Sequence, residues 1–243
     1  MGRMPLESPD SRHKSMTQDS QPSLIETMKA DAAGMIALLP LHARRLKHSA
    51  QALGYPYPGD NAVIAAIKAV LDQASAASTH LSDTRVRLLL SPIGRLDIQT
   101  AALPTLQSVP WIALTQLRLE SAEPFLQHKT THRPWYDAAT QWLAQHPDYF
   151  DLIFLNEKGE LCEGSRSNIY VLKNGAWLTP PLASGLLGGV LRTQLLETHQ
   201  VEEAILTPSD LTADKASIRL SNALRGWFDV QMSPLVLPGH FLP

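Results

Sequence analysis

The spacing of apolar and polar positions changes several times along the chain, and each change marks an element. LIETMKAD (24–31) followed by GMIALL (34–39) reads as two short strands around a turn at Asp31–Gly34. In LHARRLKHSAQALG the residues Leu46, Ala50 and Leu53 recur at helical spacing, and Gly54 stands where the helix should stop. Asp60 is placed to cap a second helix, NAVIAAIKAVLDQA. The pattern then becomes strand-like in VRLLLSP, GRLDIQTAAL and VPWIALTQLRL, with Pro and Gly as breaks. LESAEPFLQ (119–127) reads as a linker. A helix is predicted over Pro134–Gln145, with Pro in its first turn. A strand meander follows over 151–181, turning at Asn156–Gly159 and Asn174–Gly175. GGVLRTQLLETH is a helix preceded by glycines. VEEAILT, a short turn or helix in SDLTADK, ASIRLSNALRG and WFDVQMSPL complete a strand-rich half. The expected architecture is α+β with two domains. A polar extension expected to be disordered occupies 1–22, a smaller α/β domain 23–118, the linker 119–127, and a larger domain 128–243.

Composition narrows the function classes. The chain has 243 residues, 44% apolar and 18% charged, as an ordinary globular protein does. A formal net charge of -2 offers no basic field for nucleic acid. No apolar run approaches the roughly 20 residues that span a bilayer, so no membrane partner is expected. The N-terminal stretch MGRMPLESPDSRHKSMTQDSQPS lacks an apolar core and does not read as a secretory signal. The cytoplasm is the expected location. Cys162 is the single cysteine, so neither an intrachain disulfide nor a Cys-rich metal site is expected. It reads as a small packing residue.

No Walker-type, HExxH, GxGxxG or GxSxG motif is present. Chemistry therefore rests on dispersed residues. Lys129, in LQHKTTHRPWYDAA, would suit Schiff-base chemistry if burial and nearby cations kept its amine neutral. Read alone, a lysine in this setting is most often a solvated surface residue. Glu163 in LCEGSRSNIYVLKNG would suit a pyridine nitrogen, although a strand-end charge is the commoner role. Gly188 and Gly189 allow close backbone approach before a helix whose first N–H groups can meet a phosphate; an ordinary loop-to-helix turn has the same sequence. In SNALRGW, Ser221 and Asn222 can donate to phosphate and Arg225 can meet a carboxylate. Arg45 lies about one turn beyond His42 on a helix, and arginine is well suited to phosphate. Each of these last residues is individually generic.

Taken in order, the pieces carry more. ETM, HxxRL with a later ALG, HKTT with YD, EGSRSN with TPPL, GGVLR and SNALRG form a series that resembles the class IV aminotransferases. These are fold-type IV pyridoxal 5′-phosphate (PLP) enzymes: branched-chain and D-amino acid aminotransferases and 4-amino-4-deoxychorismate lyase. The resemblance runs from about Leu24 to Val230. It implies two domains with the cofactor PLP between them, usually in a homodimer. It implies Lys129 as the Schiff-base lysine and general base, and Glu163 as the partner of the pyridine nitrogen. Arg45 and the backbone amides at Gly189, Val190 and Leu191 would hold the phosphate. Asn168, Ser221 and Asn222 would complete the cofactor site, with Thr27 and Arg225 toward a small-molecule substrate. Two departures stand out. The family's DRG–YGDG segment before ETM is replaced by a polar stretch, and Leu191 stands where a threonine hydroxyl usually meets phosphate.

HKTTHRPWYDAA, SNALRG and the compact ETM–LLP–HARRL start are closer to the lyases than to the aminotransferases. The resemblance thus implies conversion of 4-amino-4-deoxychorismate to 4-aminobenzoate and pyruvate, a step of folate biosynthesis. Amino transfer on branched-chain or D-amino acids is the alternative, and a non-catalytic binding protein of the same fold is a third reading. Joint retention of Lys129 and Glu163 argues against the third.

Overall fold

The computed structural model describes residues 21–76, 83–106, 108–212 and 216–238. Strands β1 (Leu24–Ala30), β2 (Thr84–Leu90) and β3 (Leu96–Ala102) form an antiparallel sheet in that order. Helices α1 (Leu39–Leu53) and α2 (Asp60–Ala76) cover it. Leu46, Ala50, Val63 and Ile67 pack on Met28, Val86 and Leu88, an apolar stripe on each element facing a half-buried sheet. Gly54 ends α1 in the left-handed region (φ 72°), donating its N–H to Ala50 and Gln51 carbonyls, as its position in the sequence predicts. Asp60 opens α2, and its carboxylate accepts from the Tyr57 hydroxyl at 2.7 Å.

The strand expected at GMIALL does not form. Asp31 Oδ1 accepts from the N–H groups of Ala33 (2.9 Å) and Met35 (2.8 Å), closing a local turn. Pro40 then sits in the first turn of α1, where its missing N–H costs nothing. Ile36 is buried, so the apolar run anchors the helix entry to the core instead of extending a sheet.

Among the described residues the second sheet has eight strands, in the order β6-β5-β4-β11-β10-β7-β8-β9. They are β4 (Trp111–Leu119), β5 (Tyr149–Asn156), β6 (Leu161–Gly164), β7 (Asn168–Lys173), β8 (Ala176–Thr179), β9 (Glu202–Glu203), β10 (Ser217–Asn222) and β11 (Gly226–Leu237). β4, which the sequence pattern groups with the smaller domain, runs parallel to both β5 and β11 in this larger sheet. The change of sheet therefore falls between β3 and β4. A parallel pair needs a crossover; here a 3₁₀ turn at Pro134–Tyr136 and helix α3 (Asp137–Gln145) supply it between β4 and β5. The meander follows, with Asn174 (φ 52°) and Gly175 (φ 82°) making the β7–β8 turn. Helix α4 (Val190–Glu197) begins directly after Gly189, and α5 (Pro208–Thr212) takes in the first four residues of SDLTADK. VEEAILT gives only the two residues of β9; beyond it the chain is held by single bonds, such as Leu161 N–H to Leu206 O at 2.7 Å.

The two sheets meet at the segment 129–131. Ile25 N–H donates to Lys129 O (2.7 Å) and Thr131 N–H to Ser23 O (2.9 Å), around an antiparallel bridge between Leu24 and Thr130. Thr130 is fully buried. This stitch fixes Lys129 beside the start of β1.

Candidate active site

A cavity of about 230 Å³ opens where β1 and β2 face the ends of β6, β7 and β10. Its lining brings together Thr27, Arg45, Lys129, Glu163, Asn168, Gly189, Val190, Leu191, Ser221 and Asn222, residues spread over most of the sequence. Arg225 is not part of the lining. Asn222 Oδ1 accepts from the N–H groups of Leu224 and Arg225, a tight turn that carries Arg225 to the Pro104 carbonyl, to which its guanidinium donates.

The Lys129 amine has no hydrogen-bond partner among the described residues. Burial, reinforced by the guanidinium groups of Arg133 and Arg45, pushes it down to about 7, against the opposing pull of Glu26 and Glu163. Glu163 lies on β6 and is nearly inaccessible. Its Oε1 accepts from the Tyr136 hydroxyl at 2.6 Å and from Leu187 N–H at 3.1 Å; its Oε2 accepts from Asn168 Nδ2 at 3.3 Å. Burial pushes the carboxyl up to about 7 even though Tyr136 and Arg133 favour the charged form.

Arg45 reaches the cavity from α1 and is held there. Its Nε and NH2 donate to the two oxygens of Glu26 at 2.9 and 2.6 Å, and NH1 donates to Gly188 O at 3.3 Å. His42 Nδ1 donates to Glu26 Oε2 at 2.6 Å. Burial alone would raise the Glu26 carboxyl, but Arg45 and His42 hold it down to about 2. Sequence inspection misses Glu26, yet a signal exists. Leu24, Glu26, Met28 and Ala30 alternate along β1, and the three apolar members belong to one core. A carboxylate in that register implies a buried ion pair.

The EGSRSN turn has a hidden organiser. Asp151 on β5, with no exposed surface, accepts from Ser165 N–H and Oγ, Ser167 Oγ, Arg166 N–H and Leu152 N–H at 2.6–3.1 Å. A Cβ on Gly164 would lie 2.3 Å from Asp151 Oδ2, so only glycine fits there. Gly189 is equally constrained, because a Cβ would lie 2.0 Å from Asn168 Oδ1. Gly189 caps α4 with no side-chain hydrogen bond, and the first residues of the helix, Val190 and Leu191, line the cavity. Ser221 Oγ is paired with the Tyr170 hydroxyl at 2.8 Å.

Arg87, Arg133 and Arg166 add three cations to the wall, none of them singled out in the sequence. Arg133 donates to Ser165 O at 2.6 Å and lies over the Tyr136 ring; Arg166 donates to Phe150 O. Their roles arise from tertiary placement, and the only sequence hint is the basic run in HKTTHR. The site is strongly cationic around one cavity carboxylate.

The amino-transferase class IV family profile matches residues 23–232. The chain belongs to the class IV aminotransferase family. Members of this family are enzymes that use PLP. A Schizosaccharomyces pombe protein named "Putative aminodeoxychorismate lyase" is 33% identical over 184 residues, 74% of this chain and 76% of that protein. The solved structure of a "Putative amino-acid aminotransferase" from Mesorhizobium loti is 30% identical, with a TM-score of 0.78 over 88% of this chain and 100% of that one. A Legionella pneumophila "Putative 4-amino-4-deoxychorismate lyase" shares the fold, with a TM-score of 0.72 at 22% identity over 91% and 86% of the two chains. The α+β fold of the class IV aminotransferases is thus the fold of this protein. Its residues fit the family cofactor: a lysine amine near half-protonation, a buried carboxylate, an anchored arginine, and a helix start opened by a glycine that tolerates no side chain.

Proposed function

We propose that this class IV enzyme binds PLP and converts 4-amino-4-deoxychorismate to 4-aminobenzoate and pyruvate. The observation that carries the reading is the cavity itself, where the depressed amine of Lys129 and the buried Glu163 share a wall with four arginines. A substrate with two carboxylates, together with a phosphorylated cofactor, needs such a wall. The similarity to the fission-yeast protein supports the same choice.

Lys129 would carry the cofactor, Glu163 would meet its ring nitrogen, and Arg45 with the N–H groups at Val190 and Leu191 would hold its phosphate. When bound, PLP supplies an electron sink for the pair left behind as the proton beside the substrate nitrogen departs. Lys129, with its amine near 7, serves as the base that takes this proton near neutral pH. Glu26 keeps Arg45 aimed by a two-point ion pair. Thr27 and Arg87, opposite each other on β1 and β2, face the substrate side, and Arg133 and Arg166 belong to the same lining. Loss of the enolpyruvyl group then gives pyruvate and the aromatic amine. We place this reaction in folate biosynthesis, in a cytoplasmic homodimer; among the described residues no helix is long and apolar enough to cross a membrane.

Amino transfer is the second reading, favoured by the 30% identity to the Mesorhizobium protein. One assay separates them. With PLP and 4-amino-4-deoxychorismate but no keto acid, 4-aminobenzoate and pyruvate should form in equal amounts. If neither forms, and amino groups instead pass from leucine or D-alanine to 2-oxoglutarate, the lyase reading is overturned.

A further inference from the structure

We propose that Tyr136 is the positioning residue for Glu163: its phenol occupies one carboxylate oxygen and leaves the other for the ligand in the cavity. The geometry is asymmetric. Among the described residues Oε1 takes two donors, Tyr136 at 2.6 Å and Leu187 N–H at 3.1 Å, whereas Oε2 takes only Asn168 Nδ2 at the longer 3.3 Å. Oε2 is therefore the oxygen with spare acceptor capacity. Both partners are almost fully buried, so removing the phenol strips Oε1 of its shortest hydrogen bond. The Tyr136 ring packs edge-on against Phe154 at 5.0 Å and lies beneath the Arg133 guanidinium at 4.6 Å, which fixes the direction of its hydroxyl. Burial and the neighbouring carboxylate push the phenol upward, so it stays protonated and always donates.

The chain connectivity gives this contact a second meaning. Lys129, Arg133 and Tyr136 belong to one eight-residue segment that is stitched to β1 at its start and enters α3 at its end. Arg133 acts on both poles of the site, disfavouring a proton on Lys129 and on Glu163 alike. Tyr136 adds a bond that favours the charged form of Glu163 alone. The segment thus sets the base and the ring-nitrogen partner together, and Tyr136 is the part that acts on Glu163 selectively.

The cofactor role rests on the PLP reading above, but the carboxylate contact can be tested without cofactor. In cofactor-free protein, the infrared carboxyl band absent from Glu163→Gln reports Glu163, and its pH midpoint can be followed. Tyr136→Phe, which keeps the ring, should raise that midpoint by about one pH unit. Fluorotyrosine-labelled wild-type protein, whose more acidic phenols donate more strongly, should lower it without any mutation, so the test survives a variant that fails to fold. With PLP added, Tyr136→Phe should weaken binding about tenfold in the wild-type background and by less than twofold in Glu163→Gln. An unmoved midpoint in both the Phe and fluorotyrosine proteins overturns the proposal, as does equal weakening in the two backgrounds. If wild-type protein binds no PLP, the cofactor reading fails while the infrared arm still decides the role of Tyr136.

Discussion

Glu26→Gln removes one charge from the buried cluster that aims Arg45. The carboxyl moves from an ordinary 4.5 to about 2 on folding. At roughly 1.4 kcal/mol per pH unit that difference corresponds to about 3 kcal/mol of stability. The sign follows from the direction. A carboxyl depressed in the folded state contributes fully above its unfolded value, and the contribution is lost as pH falls toward the folded value. The window is therefore from about 4.5 down to about 2. Glutamine keeps the size but leaves Arg45 facing a neutral amide, and breaking a buried pair from one side costs on the order of 3–5 kcal/mol. Urea unfolding at pH 6 should show the variant about 3 kcal/mol less stable, equivalent to roughly 6–12 °C in Tm for a chain of this size. Repeating the measurement at pH 3 should shrink the gap by about 2 kcal/mol, because below about 4.5 Glu26 takes up its proton in the unfolded chain while it stays largely charged in the folded one. Other carboxylates are common to both proteins and cancel. A gap below about 1 kcal/mol at pH 6, or one that stays constant between the two pH values, would refute the ion-pair account.

Gly189→Ala forces Asn168 from its place, breaking its bonds to Leu187 O and Glu163. The expected cost is about 1–2 kcal/mol by urea unfolding, with PLP affinity at least tenfold weaker by absorbance titration. The rate of PLP association should climb through pH about 7 and level off as the Lys129 amine becomes neutral; a rate still rising toward the ordinary lysine value of 10.5 would contradict the depressed amine. Arg225→Ala, which loses only the Pro104 contact, should leave kcat/KM within twofold of wild type.

What was legible in the sequence was local. Asn174–Gly175, Gly54 and Pro134 mark their turns and helix ends by backbone preference, and the structure uses them so. GMIALL was misleading because a short apolar run reads the same whether it pairs as a strand or anchors a helix entry. The sheet allegiance of β4 was hidden because its partners β5 and β11 are parallel and distant in sequence. In the site, family resemblance singled out Lys129, Glu163, Arg45, Val190 and Leu191, which line one cavity. Glu26, Arg133, Tyr136 and Asp151 escaped notice because their partners lie on other elements. Arg225, expected toward the substrate, lies outside the cavity lining because of the turn that Asn222 makes with its own backbone.

The central claim is that Lys129 is the residue that carries PLP. Incubation with PLP, borohydride reduction and peptide mass spectrometry test it directly. The account predicts a single phosphopyridoxyl adduct on Lys129, none in Lys129→Ala, and a yellow protein before reduction. A colourless protein with no adduct, or an adduct on another lysine that persists in Lys129→Ala, would contradict it.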